Sequence, residues 1–200
     1  MSNTIFEQVK KAAGSQQRSS SWYKKQVRQL AKNYDTIDEF ARDETLDSLD
    51  EDGYQDSNQL RNEVRKGHLY LFEYEASTKY KYYDAFPLVY VVDRGADYFI
   101  GANFHYMQPK YRAIAIKTLF EKNKLVVPKR TLHKYISSNV SGRFLDLGKD
   151  EWETAIYLPV ENFLQERNGR DFPYKKKDVW DATYKAYRDR YTVQRLIEAY

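Results

Sequence analysis

The sequence has no cysteine in its 200 residues. That excludes thiol nucleophiles, disulfide staples, thiolate-ligated zinc and iron–sulfur clusters. It fits a reducing compartment, or a particle assembled in one. Histidine is scarce too: His68, His105 and His133 are the whole supply. None has a second histidine or an acid at the spacing of a helical zinc motif. Gly95 and Gly101 do not make the spacing of a nucleotide-binding loop, and there is no G-x-S-x-G elbow. No apolar run approaches the roughly 18–20 residues of a membrane span. Met1 to Ser21 lacks the apolar core of a signal peptide. These absences lead to the expectation of a soluble chain made inside a cell, with no cofactor and no membrane contact.

Tyrosine, by contrast, is abundant, at 19 residues. Its ring is large and apolar with a polar tip, which suits strands and interfaces. The net charge of +4 hides a strong polarity. Between Asp35 and Asp56 stand ten acids and one base, Arg42, so this belt carries −9 and the rest of the chain 4 + 9 = +13. A basic body points to a polyanion or an acidic protein surface as partner.

The length suits one domain with appendages. Residues 1–21 read as a flexible N-terminal segment with a short helix over Thr4 to Ala13 and the linker "GSQQRSSS". Residues 22–62 combine a basic amphipathic helix, capped by Ser21, with the acidic segment; the helix either docks through Trp22 and Leu30 or is an arm that contacts nucleic acid or a neighbouring subunit. Residues 63–165 form an α+β core domain. In it "GHLYLFEYEA" alternates as a strand, with Leu69, Leu71 and Glu73 on one face and Tyr70, Phe72 and Tyr74 on the other. "FPLVYVVD" is a second strand, with Pro87 near its start. "RGAD" is a hairpin turn in which Gly95 supplies positive φ. "YFIGANFHYM" is a third strand, and Gly101 marks a bulge or a close backbone approach. Pro109 opens a helix whose Ile114, Leu119 and Phe120 face the sheet, aided by Tyr111 and Ala115. "KLVVPKRTLHKYISSNV" reads as a strand and then a helix, "RFLDL" as a strand, and Trp152 to Leu158 as a short helix or strand. Residues 166–200 read as a basic, aromatic C-terminal helix. The expected fold is a small antiparallel sheet or SH3-like barrel over about 68–106, packed by helices, with helical extensions at both ends.

Catalytic readings are weak. His105 on a strand reads as a structural histidine. Asp84, Asp93 and Asp97 near turns are explained by Asx turns. The nearest match to a metal nuclease is Glu73 and Glu75 with Lys79 or Lys81, and it lacks an upstream acid. Binding is the better class. Aromatic residues interleaved with Lys and Arg, as in "KYKYYD" and "HYMQPKYR", stack bases and pair phosphates. The bland alternative is that these tyrosines fill strand faces.

The block "GHLYLFEYEASTKYKYYDAFPLVYVVDRGADYFIGANFHYMQPKYRAI" resembles a family of small virion proteins of T4-like tailed bacteriophages. The residues that carry the resemblance are Gly67, Leu69, Tyr70, Tyr74, Tyr83, Asp84, Phe86, Pro87, Leu88, Gly101, Asn103, His105, Tyr106, Pro109 and Arg112. The stretch Glu151 to Phe163, "EWETAIYLPVENF", is similar to a later part of the same pattern. The resemblance spans about residues 64–165. It departs after the first strand, where relatives turn on acidic or Asp-Pro residues and this chain has "EASTKYK". The belt 35–56 lies outside it.

The resemblance implies a structural protein of the virion, assembled in the host cytoplasm. Its role would be to bind or protect the packaged DNA end at the head–tail connection. A neck, tail or baseplate-hub component that binds only protein is the alternative, and a metal-dependent nuclease the third reading. Expected partners are other phage virion proteins and double-stranded DNA ends. For nucleic-acid contact the candidates are Lys24, Lys25, Arg28, Lys79, Tyr80, Lys81, Lys175, Lys176 and Lys177.

Overall fold

The computed structural model describes residues 5–15, 18–30, 60–76, 81–185 and 190–194. The acidic belt lies outside them, as do Lys79 and Tyr80. Two helices lead: α1 (Ile5–Ala13) and α2, which covers residues 20–30. The cap of α2 is Ser19, whose Oγ accepts from the Trp22 N–H at 3.2 Å, rather than Ser21. A run of serines offers several equivalent caps, and composition cannot choose among them. Ile5, Val9 and Val27 are buried in the main core and Trp22 and Leu30 pack against it. The helix Ile5–Ala13 thus packs on the core through Ile5 and Val9.

The body is α+β. A six-stranded antiparallel sheet has the order β1-β8-β2-β4-β5-β7. Its strands are β1 (Leu60–Arg61), β2 (Leu69–Tyr74), β4 (Leu88–Arg94), β5 (Tyr98–Asn103), β7 (Leu132–Ile136) and β8 (Val140–Leu147). The expected meander β2-β4-β5 is its centre. β3 (Tyr83–Asp84), β9 (Phe163–Arg167) and β10 (Arg170–Pro173) form a second sheet, in the order β10-β9-β3. β6 (Lys124–Pro128) pairs with β11 (Arg190–Gln194). Three further helices complete the body: α3 (Pro109–Lys122), α4 (Trp152–Ala155) and α5 (Lys176–Lys185). Residues 129–136 are thus a turn and a strand, not a helix. The C-terminal stretch contains β9, β10 and β11 as well as α5.

Alternation along β2 divides the core. Leu69 and Leu71 point into the larger cluster, under the helices. Tyr70 and Phe72 point into an aromatic cluster with Phe99, Tyr135 and Phe144. In that cluster the Phe99 and Phe144 rings are 5.7 Å apart. Their strands, β5 and β8, stand three places apart in the sheet, which is about 14 Å in a flat one. The sheet therefore curls around its aromatic face, helped by register shifts in β2–β8 and β4–β5. It stays open: β1 and β7 do not pair with each other. Of the two expectations, the open sheet holds and the closed barrel does not.

Gly101 serves close approach, since a Cβ there would strike Val89 Cγ1 and sit 3.0 Å from the Tyr90 carbonyl oxygen. Gly95 is not at positive φ. It leaves room for the Tyr98 ring, which a Cβ would meet at 2.5 Å. On α3 the buried stripe is Arg112, Ala115, Ile116 and Leu119, whereas Ile114 is 57% and Phe120 40% exposed. Ala115 and Leu119 face inward as expected, with Tyr111 packed against the core; the stripe takes in Arg112 instead of Ile114 and Phe120.

Candidate functional site

Two buried polar nodes hold the layers together. The first is Asp84. Its Oδ1 accepts from the backbone N–H of Phe86 at 3.1 Å and of Asn162 at 3.2 Å. Its Oδ2 accepts from Asn103 Nδ2 at 3.1 Å and lies 2.8 Å from His105 Nδ1. The Phe86 bond is the expected Asx turn, and it aims the chain into Pro87 and β4. Burial by itself pushes the Asp84 carboxyl up. The charge and hydrogen bond of His105, with the Phe86 and Asn103 donors, outweigh it and hold the group below its ordinary value. His105 lies in a single 3-10 turn, Phe104–Tyr106, just past β5 rather than on the strand. Its Nε2 is buried without a partner, and its carbonyl accepts from Trp180 Nε1 of α5 at 2.9 Å.

The second node is Arg112, 0% exposed. Its guanidinium donates to the carbonyls of Met107 (2.8 Å) and Ile156 (2.9 Å) and to the Glu161 carboxylate. Lys176 Nζ lies 3.4 Å from the other Glu161 oxygen. Burial pushes the Glu161 carboxyl up, but His105, Arg112 and Lys176 together hold it below its ordinary value.

Beside the Asp84 node opens a cleft of about 570 Å³ between β3 and β7. Residues 81–84 make one wall, Arg130 and residues 132–136 the other, and Tyr74 and Tyr106 also line it. The Tyr106 ring is 4.3 Å from that of His133. Tyr82 stacks on Tyr174 at 4.6 Å, and its hydroxyl accepts from Arg130 Nη2 at 2.7 Å. Burial pushes the phenols of Tyr83, Tyr106 and Tyr135 upward, so all three stay neutral at ordinary pH. Burial also pushes His133 down to about 4, against the pull of Asp84. Lys81 and Arg130 are exposed at this cleft, and Lys134 at its edge, where its ammonium lies 3.9 Å from the centroid of the Tyr98 ring on the face of β7 away from His133. Asp84 is its one lining carboxylate. The arrangement is an aromatic slot with a cationic rim.

The sequence candidates scatter relative to it. Lys81 lies on the cleft, while Lys79 and Tyr80 fall outside the described residues. Lys24 is half-buried and donates to Asn162 Oδ1 at 2.9 Å. Burial pushes its ammonium down, aided by Arg28 and opposed by Asp84 and Glu161. Arg28 pairs with Glu73 at 2.6 Å, which engages one of the two acids of the nuclease reading. Among the described residues no group of three His, Asp or Glu side chains is placed to hold a metal ion. Lys176 pairs with Glu161, and Lys177 with Asp181 at 2.6 Å. Lys25 and Lys175 are exposed. The sequence reading singled out neither Arg130 nor Lys134, reached Tyr82 and Tyr106 only through the stretches "KYKYYD" and "HYMQPKYR", and gave His133 no role. A period of two in "RTLHKYI" was the available signal, since it sets His133 and Tyr135 on one face and Leu132 and Lys134 on the other.

Among the described residues no helix is long and apolar enough to cross a membrane. The chain matches no protein-family model, no curated protein and no solved structure.

Proposed function

We propose that this chain is a non-enzymatic component of a tailed-phage particle that holds the packaged duplex DNA end at the head–tail connection. The observation that carries the reading is the charge around the β3–β7 cleft. Lys81, Arg130 and Lys134 stand exposed beside it, and its one carboxylate is spent on Asn103, His105 and two backbone N–H groups. Cations so placed attract phosphates, although Asp171 stands close by as the acceptor of the Tyr83 hydroxyl. The locked Asp84–His105 pair suits a scaffold better than a proton shuttle. The particle itself comes from the resemblance of residues 64–165 to virion proteins.

The test is fluorescence anisotropy of the purified protein on a blunt duplex across a salt series, with a search for the chain in purified particles. Three phosphate contacts should give a log–log salt slope near −3. No salt-sensitive affinity, together with absence from particles, would defeat the reading.

A second reading, a tail or baseplate component that binds only protein, is favoured by one observation. Ile114, Phe120, Tyr157 and Tyr184 are 40–60% exposed on and beside α3, and such large apolar side chains mark protein contacts. Capture of a tail-hub protein without DNA affinity at low salt would select it.

A further inference from the structure

We infer that the β9–β10 hairpin lies in the major groove of the duplex, with Arg167 and Arg170 on the acceptor edges of guanines. This rests on the DNA-end reading above and adds a second site, outside the cleft, at which the duplex is held.

The hairpin is encoded by "ERNGRD". Asn168 (φ 53°) and Gly169 (φ 75°) are both left-handed, as a two-residue type I′ turn requires. The Gly169 N–H donates to Glu166 Oε1 at 3.1 Å. Register then sorts the side chains by face. Arg167 stands opposite Arg170, and Gln165 opposite Phe172. These four, with Asn168 and Pro173, line one hollow. Glu166 stands opposite Asp171, and alternation sends both to the other face. The four charges cancel in sum but not in place.

The arginine face has no use within the fold. Residues 167–173 are all exposed, Phe172 by 45%. Neither arginine has a carboxylate partner among the described residues. Like charges directly opposite each other weaken a strand pair, so the hairpin carries a cost that a row of acceptors removes. With its amide oxygen toward Arg167, Gln165 accepts from Nε at 3.1 Å and Nη2 at 2.8 Å. That steadies the guanidinium and leaves three of its five N–H donors free. Asp171 is turned the other way, to the Tyr83 hydroxyl at 2.8 Å.

Shape selects the groove. Among the described residues β9 pairs with β3 only at Phe163 and Leu164. From Gln165 to Phe172 the hairpin is therefore a free two-stranded ribbon. The major groove of B-DNA, about 12 Å wide, admits such a ribbon, whereas the minor groove, about 6 Å, is too narrow without distortion. The chemistry of the face agrees. Guanine N7 and O6 match the arginine fork, and the thymine methyl suits a phenyl ring such as that of Phe172. Because β3 runs antiparallel to β9, Lys81 of the cleft lies toward the arginine end of the ribbon. One duplex can meet both. A peptide strand added to β10 is the competing occupant. Charged residues and Pro173, which has no N–H to offer, blunt that edge.

The experiment is fluorescence anisotropy of the full chain and of the double variant Arg167→Gln/Arg170→Gln, across a salt series, on three probes. They are a guanine-containing DNA duplex, the same duplex with 7-deazaguanine, which pairs normally but lacks the N7 acceptor, and the same sequence as duplex RNA, whose major groove is too deep and narrow to enter. The wild type should bind ordinary DNA about 5-fold or more tighter than either other probe. The double variant, changed only at exposed positions, should lose roughly 5- to 150-fold on ordinary DNA and no longer distinguish the deaza duplex. Its salt slope should stay near the wild-type value, since contacts to base edges release few counterions. Equal wild-type affinity for the ordinary and deaza duplexes overturns the inference and leaves the DNA-end reading standing. So does RNA bound as tightly as DNA, or a double variant that binds as the wild type. A slope shallower by about 2 in the variant also overturns it, because the arginines then sit on phosphates. A glutamate-rich peptide that displaces the duplex from the wild type assigns the hairpin to an acidic protein surface instead. No salt-sensitive affinity for any duplex sinks the reading on which the inference rests.

Discussion

At the scale of the residue, the polar groups that the resemblance rests on prove to be the internal skeleton. Asp84, Asn103 and His105 tie the small sheet to the end of β5, and Arg112 ties α3 to the segment that carries Glu161. Asp84→Ala strands the Asn103 and His105 donors in the interior. It should cost about 3–5 kcal/mol of unfolding free energy, read by urea denaturation. His133 predicts a pH dependence. Its folded pKa, about 4, lies below the ordinary 6.5, so the unfolded chain binds the extra proton between those values. Stability is then complete above about 6.5 and falls as the pH drops toward 4, by up to about 3 kcal/mol. Denaturation curves at pH 7.5 and pH 5 should show the loss, and His133→Phe should flatten it.

At the scale of the element, the strands at the centre of the large sheet were legible, whereas β1, β3, β7 and β9 to β11 were not. β2, β4 and β5 declared themselves by alternation and β-branched content, and Pro109 marked the start of α3. The inward face of α3 was right at Ala115 and Leu119 and wrong at Ile114 and Phe120, which apolar character alone selects. The true stripe, Arg112–Ala115–Ile116–Leu119, includes a charge that only its buried partners explain. Arg112→Met should therefore be costly, by about 3–5 kcal/mol, since Glu161 is left with Lys176 alone. Adding Glu161→Gln should recover part of that loss, and the double-mutant cycle measures how much. Gly101→Ala tests the other local feature. With Val89 and the Tyr90 carbonyl in the way, β4 and β5 must shift apart, at about 1–3 kcal/mol.

At the scale of the whole molecule, the positive body was legible but its useful part was not. Counting charges favoured Lys24, Lys25, Arg28, Lys79, Lys81 and the run Lys175 to Lys177, of which, among the described residues, Lys81 alone lines the cleft. The fold gives Arg28 to Glu73, Lys176 to Glu161 and Lys177 to Asp181, and turns Lys24 toward Asn162. It gathers Lys81, Arg130 and Lys134 at one cleft instead. That gathering depends on pairings far apart in the chain, β5 with β7 and β3 with β9, which no local pattern reveals. "KYKYYD" is divided accordingly: Tyr82, Tyr83 and Asp84 are buried yet line the cleft, and Lys81 stands at its edge. The measurement that bears most directly on the account is the salt dependence of duplex binding by two triple variants. Neutralising Lys81, Arg130 and Lys134 to glutamine should weaken binding and shallow the salt slope by about 3, whereas neutralising Lys25, Lys175 and Lys177 should change it little. The reverse pattern, with the cleft variant binding as the wild type and the other losing its affinity, would contradict it.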